Sequence, residues 1–180
     1  MRCQWLVPVA LAVTLTGCGD LMFVEPLASD SDKTFDKALV GNWYDRDSVV
    51  LHVTAEKPPV YDVTILFVES GKSAHLQGRL VRLGDQQILD LYDPEAGLFN
   101  VGCHVWVYVQ RKGTGLEIAY LDSPWLQARL KESGLRTFEV EKHPVSTAST
   151  AQLREFAAKY AVRPEARAGS LEWSAFKKKP

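Results

Sequence analysis

Phe99-Asn100-Val101-Gly102-Cys103-His104-Val105-Trp106-Val107-Tyr108-Val109-Gln110 is the stretch on which the fold turns. Its odd positions, Phe99, Val101, Cys103, Val105, Val107 and Val109, are all apolar. Successive side chains of a strand point to opposite faces, so this alternation describes a β-strand with one face in a core. The even positions carry Asn100, Gly102, His104, Trp106, Tyr108 and Gln110. Two large aromatics on the second face need a cover of their own. One of the later helices is expected over them, through Trp125-Leu126 or Phe156.

Shorter runs with the same period lie on both sides. Asn42–Asp45 and Ser48–Thr54 are β-rich. Tyr61, Val63, Ile65 and Phe67 share one face, and so do Ala74, Leu76, Gly78 and Leu80. Leu89 pairs with Leu91, and Leu116, Ile118 and Tyr120 form a further face. Turn signals separate the runs: Lys57-Pro58-Pro59, Glu69-Ser70-Gly71, Gly84-Asp85, Asp93 to Gly97, and Lys112 to Gly115. Gaps this short leave no room for crossover helices, so the strands are expected to be antiparallel. A mainly β fold follows: an antiparallel meander closing into a small barrel or a curved sheet.

Two late helices complete this expectation, near 124–133 and 150–161. Ser123-Pro124 offers a capping hydroxyl and a proline in the first turn, and Gly134 ends the first helix. Ser149 with Gln152 forms a capping box for the second, with Leu153, Phe156, Ala157 and Tyr160 on one stripe. One or two strands are expected around Thr137–Lys142. Asp90 and Asp93 are expected at a solvated turn.

The chain has 180 residues, 46% of them hydrophobic, and a net charge of −1. That charge balance leaves no footprint for nucleic acid, and the composition is not that of a disordered chain. Three cysteines do not make a disulfide scaffold. Arg2 is the only charged side chain before Asp20, and Trp5 to Leu15 is apolar except for Pro8 and Thr14. This segment is too short to span a bilayer, which takes about 20 apolar residues, and it reads as a secretory signal.

Leu15-Thr16-Gly17-Cys18 closes that segment and resembles the lipobox of bacterial lipoproteins. The resemblance implies recognition of Leu15, Thr16 and Gly17 by a signal peptidase, cleavage before Cys18, and a diacylglyceryl group on its thiol. The chain then divides into a signal over 1–17, a lipidated tether over 18–36, a barrel-like domain over 37–162 and a loose tail over 163–180. The implied place is the bacterial cell envelope, held to a membrane by acyl chains and facing the periplasm or the cell surface. Cys3 leaves with the signal, so Cys103 is the one thiol left and no internal disulfide is expected.

Gly41-Asn42-Trp43 stands just before the first run and resembles the glycine-any-tryptophan motif of lipocalins. In that family the tryptophan closes one end of a barrel and a basic residue packs over it. A second resemblance rests on Leu80 to Asp85, Leu89 to Tyr92, Leu121-Asp122 before Trp125-Leu126, and Thr147 to Thr150. These segments are similar to a group of uncharacterised bacterial envelope proteins and imply no activity.

No motif assembles a catalytic set, so no enzyme, cofactor or metal is expected. Cys103 and His104 point to opposite faces as strand neighbours. The four histidines have no metal-ligand spacing. Ser70-Gly71-Lys72-Ser73 lacks the earlier glycine of a phosphate loop, with Leu66 in its place. Lys177 to Lys179 is a basic run in the tail. The function expected is a small apolar ligand held in a lipocalin-like cup lined by Trp43, Val63, Ile65, Phe67, Val105, Ile118 and Tyr120. The alternative is an envelope module with a filled core that meets a partner protein. The absence of an apolar cavity of at least roughly 300 Å³ would sink the carrier reading.

Overall fold

The computed structural model describes residues 21–29, 32–45, 48–98, 101–140 and 143–175. The lipobox residues Leu15, Thr16, Gly17 and Cys18, and the Lys177–Lys179 run, lie outside them. The chain is mainly β with two helices. Its strands are β1 (Met22–Phe23), β2 (Lys33–Thr34), β3 (Gly41–Asp45), β4 (Val49–Thr54), β5 (Val60–Phe67) and β6 (Lys72–Leu83). They continue with β7 (Gln86–Leu98), β8 (Val101–Lys112), β9 (Gly115–Leu121), β10 (Thr137–Val140), β11 (His143–Ser146) and β12 (Arg167–Ala175). The helices are α1 (Ser123–Glu132) and α2 (Thr150–Phe156).

From β3 to β9 each strand pairs antiparallel with the next. Two-residue turns make this possible at Gly84-Asp85 and Gly113-Thr114, where each glycine takes a positive φ, 61° and 58°, that a side chain would resist. β12 pairs with β9 along most of its length and with β3 through Ser174–Tyr44 and Ala175–Trp43.

Two cores lie on opposite faces of these strands. One face gathers Trp43, Leu51, Val63, Leu89, Val107 and Ile118. The other gathers Val81, Ile88, Trp106, Tyr108 and Ala119 under Leu126, Leu130, Leu153 and Phe156 of the helices. Over Trp106–Val109 β8 is apolar on both faces, and both are buried.

Four expectations need correction. The tether expected over 18–36 belongs to the fold over 21–29 and 32–36. Leu21, Phe23, Leu27 and Ala28 are buried, and β1 pairs with β8 and β11. The segment 163–180 is not a loose tail throughout, since β12 occupies Arg167–Ala175 and finds its backbone partners on β9 and β3. The turn expected at Asp93 to Gly97 lies within β7, where the register with β8 shifts between Tyr92 and Gly97. Such a shift adds residues to one strand without ending the pairing. Lastly, α1 is capped by Asp122, whose carboxylate accepts from Trp125 N at 2.8 Å, while Ser123 Oγ accepts from Leu21 N at 3.0 Å. The capping box of α2 at Ser149 and Gln152 is present. After Phe156 the helix continues as a π-helical turn over Ala157–Ala161.

Candidate functional site

The first core is not fully closed. An apolar pocket of about 80 Å³ opens among its side chains. β4 supplies Val49, Leu51 and Val53, and β5 supplies Tyr61, Val63, Ile65 and Phe67. β7 adds Leu89 and Leu91, β8 adds Val107 and Val109, and β9 adds Leu116, Ile118 and Tyr120. Each set has a single parity along its strand, which is how a pleated strand presents one face. Of the lining side chains only those of Tyr61 and Tyr120 carry a polar atom.

One end of the pocket is plugged. Leu39, from a 3-10 helix over Lys37–Leu39, completes the lining there. Asp36 caps that turn by accepting from Ala38 N at 2.8 Å. Trp43 Nε1 donates to Leu39 O at 3.0 Å, so the buried indole holds the turn in place. Arg111 then lies over the indole, its guanidinium carbon 5.2 Å from the ring centre. Its Nη1 donates to Ala38 O at 3.4 Å and its Nη2 to Gly113 O at 3.2 Å. A guanidinium over an indole face gains electrostatically from the ring quadrupole. Tyr61 belongs to the same end. Its hydroxyl receives Asp36 N at 2.6 Å and donates to Asp36 O at 3.2 Å. Burial pushes the Tyr61 phenol above its ordinary value.

The other end is open. Ile65, Phe67 and Leu91 are half-buried, and Tyr120 is 37% exposed. These residues form an apolar mouth in contact with solvent.

Of the residues expected in a cup, Val63, Ile65, Phe67, Ile118 and Tyr120 stand together in this lining. Trp43 lies beneath it as part of the plug, and Val105 is half-buried outside the lining. Leu39, Leu51, Tyr61, Leu89 and Val109 belong to the lining and were not singled out by sequence. Strand parity was the available signal for the last four, since each repeats the parity of a chosen neighbour or of its own run, whereas Leu39 lies in a 3-10 helix that parity does not reach.

A polar cluster sits on the opposite face of β7 and β8. Asp90 is fully buried, which corrects the solvated turn expected for it. Its Oδ1 lies 2.9 Å from His104 Nδ1, and its Oδ2 accepts from Leu27 N at 3.0 Å. Tyr92 packs against His104 with ring centres 4.9 Å apart. Asp90 shares the face of Ile88 because residues two apart align along a strand. That face lies under the N-terminal segment, so the carboxylate ties that segment to the sheet and is closed to a substrate. Trp106 and Tyr108 are also buried here, in the core that contains Leu126 and Phe156. The ring lying directly on Trp106 is Phe23, and Arg167 lies 3.8 Å from the Tyr108 ring centre.

Among the described residues, no group of three or more His, Cys, Asp or Glu is placed to hold a metal ion. No described helix is long and apolar enough to cross a membrane. No protein-family model matches this chain, and neither a curated protein nor a solved structure matches it.

Proposed function

We propose that the chain is a lipid-anchored, non-enzymatic protein of the bacterial cell envelope that holds the end of an alkyl or acyl chain in a small lipocalin-like barrel. The pocket carries this reading: fifteen side chains converge on one space, and all are aliphatic or aromatic. The barrel is supported by the strand pairings, which pass from β3 through β9 to β12 and return to β3. The lipocalin likeness is supported by Gly41-Asn42-Trp43 opening β3, by the plug of Trp43 on Leu39, and by Arg111 over the indole. The anchor rests on Leu15-Thr16-Gly17-Cys18.

Size selects the ligand. A cavity of roughly 150 Å³ admits benzene, and pockets for drug-sized ligands run from roughly 300 Å³ upward. A space of about 80 Å³ therefore takes a narrow chain and excludes a ring system. Each buried methylene contributes about 0.8 kcal/mol, so about five give millimolar binding and about ten give micromolar binding, before ordering costs. Micromolar affinity then needs the mouth residues Ile65, Phe67, Leu91 and Tyr120 to cover the rest of the chain.

At about 80 Å³ the pocket falls short of the roughly 300 Å³ set for a carrier of a whole small ligand, so a chain end is the most it holds, and the same small volume favours a second reading, an interaction module with a nearly filled core. Native mass spectrometry of the protein extracted from membranes separates them. The proposal expects a retained species with one long alkyl chain, displaced by added fatty acid. A protein that carries nothing and takes up nothing supports the filled module.

A further inference from the structure

We propose that the face built from α1 and the turn Ala157–Ala161 rests on an anionic lipid bilayer, beside the point where the acyl chains of Cys18 enter it. This rests on the lipid-anchor reading above. Leu21 is buried and its N–H is held by Ser123 Oγ at 3.0 Å. Cys18 is three residues before Leu21, and three residues reach at most about 11 Å. The bilayer surface therefore lies close to the start of α1, and whatever surrounds Ser123 faces lipid.

What surrounds it suits that surface. Trp125 is half-buried and meets Tyr160 edge-on, with ring centres 6.2 Å apart. Three cations stand over these two rings. Arg129 lies 5.4 Å from the Trp125 ring centre, while Lys159 and Arg163 lie 4.9 Å and 5.3 Å from that of Tyr160. Arg163 Nε donates to Lys159 O at 2.9 Å, which fixes one cation beside the other. Both Lys159 and Arg163 are exposed. Glu132 is paired with Arg129 at 2.7 Å, and the exposed acids Glu155 and Glu165 stand four residues before Lys159 and two after Arg163. Lysine and arginine near an anionic leaflet are attracted to it, and tryptophan and tyrosine favour the headgroup level. The attraction fades within a Debye length, about 10 Å at 0.1 M salt and about 3 Å at 1 M.

The test uses full-length lipidated protein in vesicles of phosphatidylcholine, with or without phosphatidylglycerol. A polarity-sensitive fluorophore is placed at Ala158→Cys in a Cys103→Ser background, with a control at Lys57→Cys between β4 and β5. The expected result is blue-shifted emission at position 158 with phosphatidylglycerol only, lost in 1 M salt and in Lys159→Glu/Arg163→Glu, and no shift at position 57. A shift that is absent, that also occurs in phosphatidylcholine alone, or that survives charge reversal overturns the proposal. Flotation is read on the same samples. Protein that floats with its position-158 probe still in water overturns this face and leaves the anchor standing. Protein that floats with neither vesicle overturns both.

Discussion

Phe23 lies flat on Trp106, with ring centres 3.8 Å apart and ring planes 7° from parallel. The first residue belongs to a segment whose composition suggests a tether, and the second to the strand that decides the fold. Their contact makes the N-terminal segment a wall of the second core. Phe23→Ala removes that wall and leaves Trp106 facing a void. The expected cost is about 3 kcal/mol, in the range of aromatic truncations in cores. Urea denaturation of residues 19–180 measures it as a lower midpoint at unchanged slope. A loss below about 1 kcal/mol would place the segment outside the cooperative fold.

Asp90 serves the same junction with a polar bond. Asp90→Ala leaves the His104 ring and Leu27 N–H without their acceptor in a buried place. Each unsatisfied buried group costs about 1–3 kcal/mol, so a loss of about 3 kcal/mol is expected. Asp90→Asn keeps an acceptor for Leu27 N and should lose less. Equal losses for the two variants in the same denaturation assay would contradict this role.

Tyr61 predicts the behaviour at high pH. Its phenol is pushed up by burial, so the unfolded chain releases this proton at a lower pH than the folded one. The contribution is fully present below the ordinary tyrosine value near 10 and is lost as pH rises through the folded value. Tyr61→Phe should remove this part of the alkaline decline while costing stability at neutral pH through the lost bonds to Asp36. Parallel slopes of stability against pH above about 10 for both proteins would refute the assignment.

Most of β4 to β9 was legible because side chains alternate there and positive-φ glycines mark the turns before β6, β7 and β9 at Gly71, Gly84 and Gly113, while Gly97 marked a register shift inside β7 and not a turn. β1 and β2 were not legible. Strands of two residues show no period, and what orders them is partners far along the chain, such as Trp106 for Phe23 and Leu80 for Thr34. β12 was hidden for a similar reason. Proline and glycine in 163–175 suggest a loop, and its strand state comes from edges that β9 and β3 leave unpaired. Asp90 looked like part of a turn because Asp93-Pro94 follows it, yet its position two residues after Ile88 places it on a covered face. Arg111 stands one residue beyond the alternating run, and only the closeness of β8 to the Lys37–Leu39 turn gives it the Trp43 ring.

The pocket is tested most directly by titrating a fluorescent straight-chain fatty acid into residues 19–180, without detergent, beside Leu91→Trp. Leu91 is half-buried at the mouth, so a larger side chain there fills the entrance while the unfolding midpoint stays near that of the parent. The expected result is saturable one-to-one binding at roughly micromolar concentration, displaced by unlabelled straight chains, not by sterols, and lost in Leu91→Trp. No saturable binding, or equal binding by the blocked variant, would contradict it.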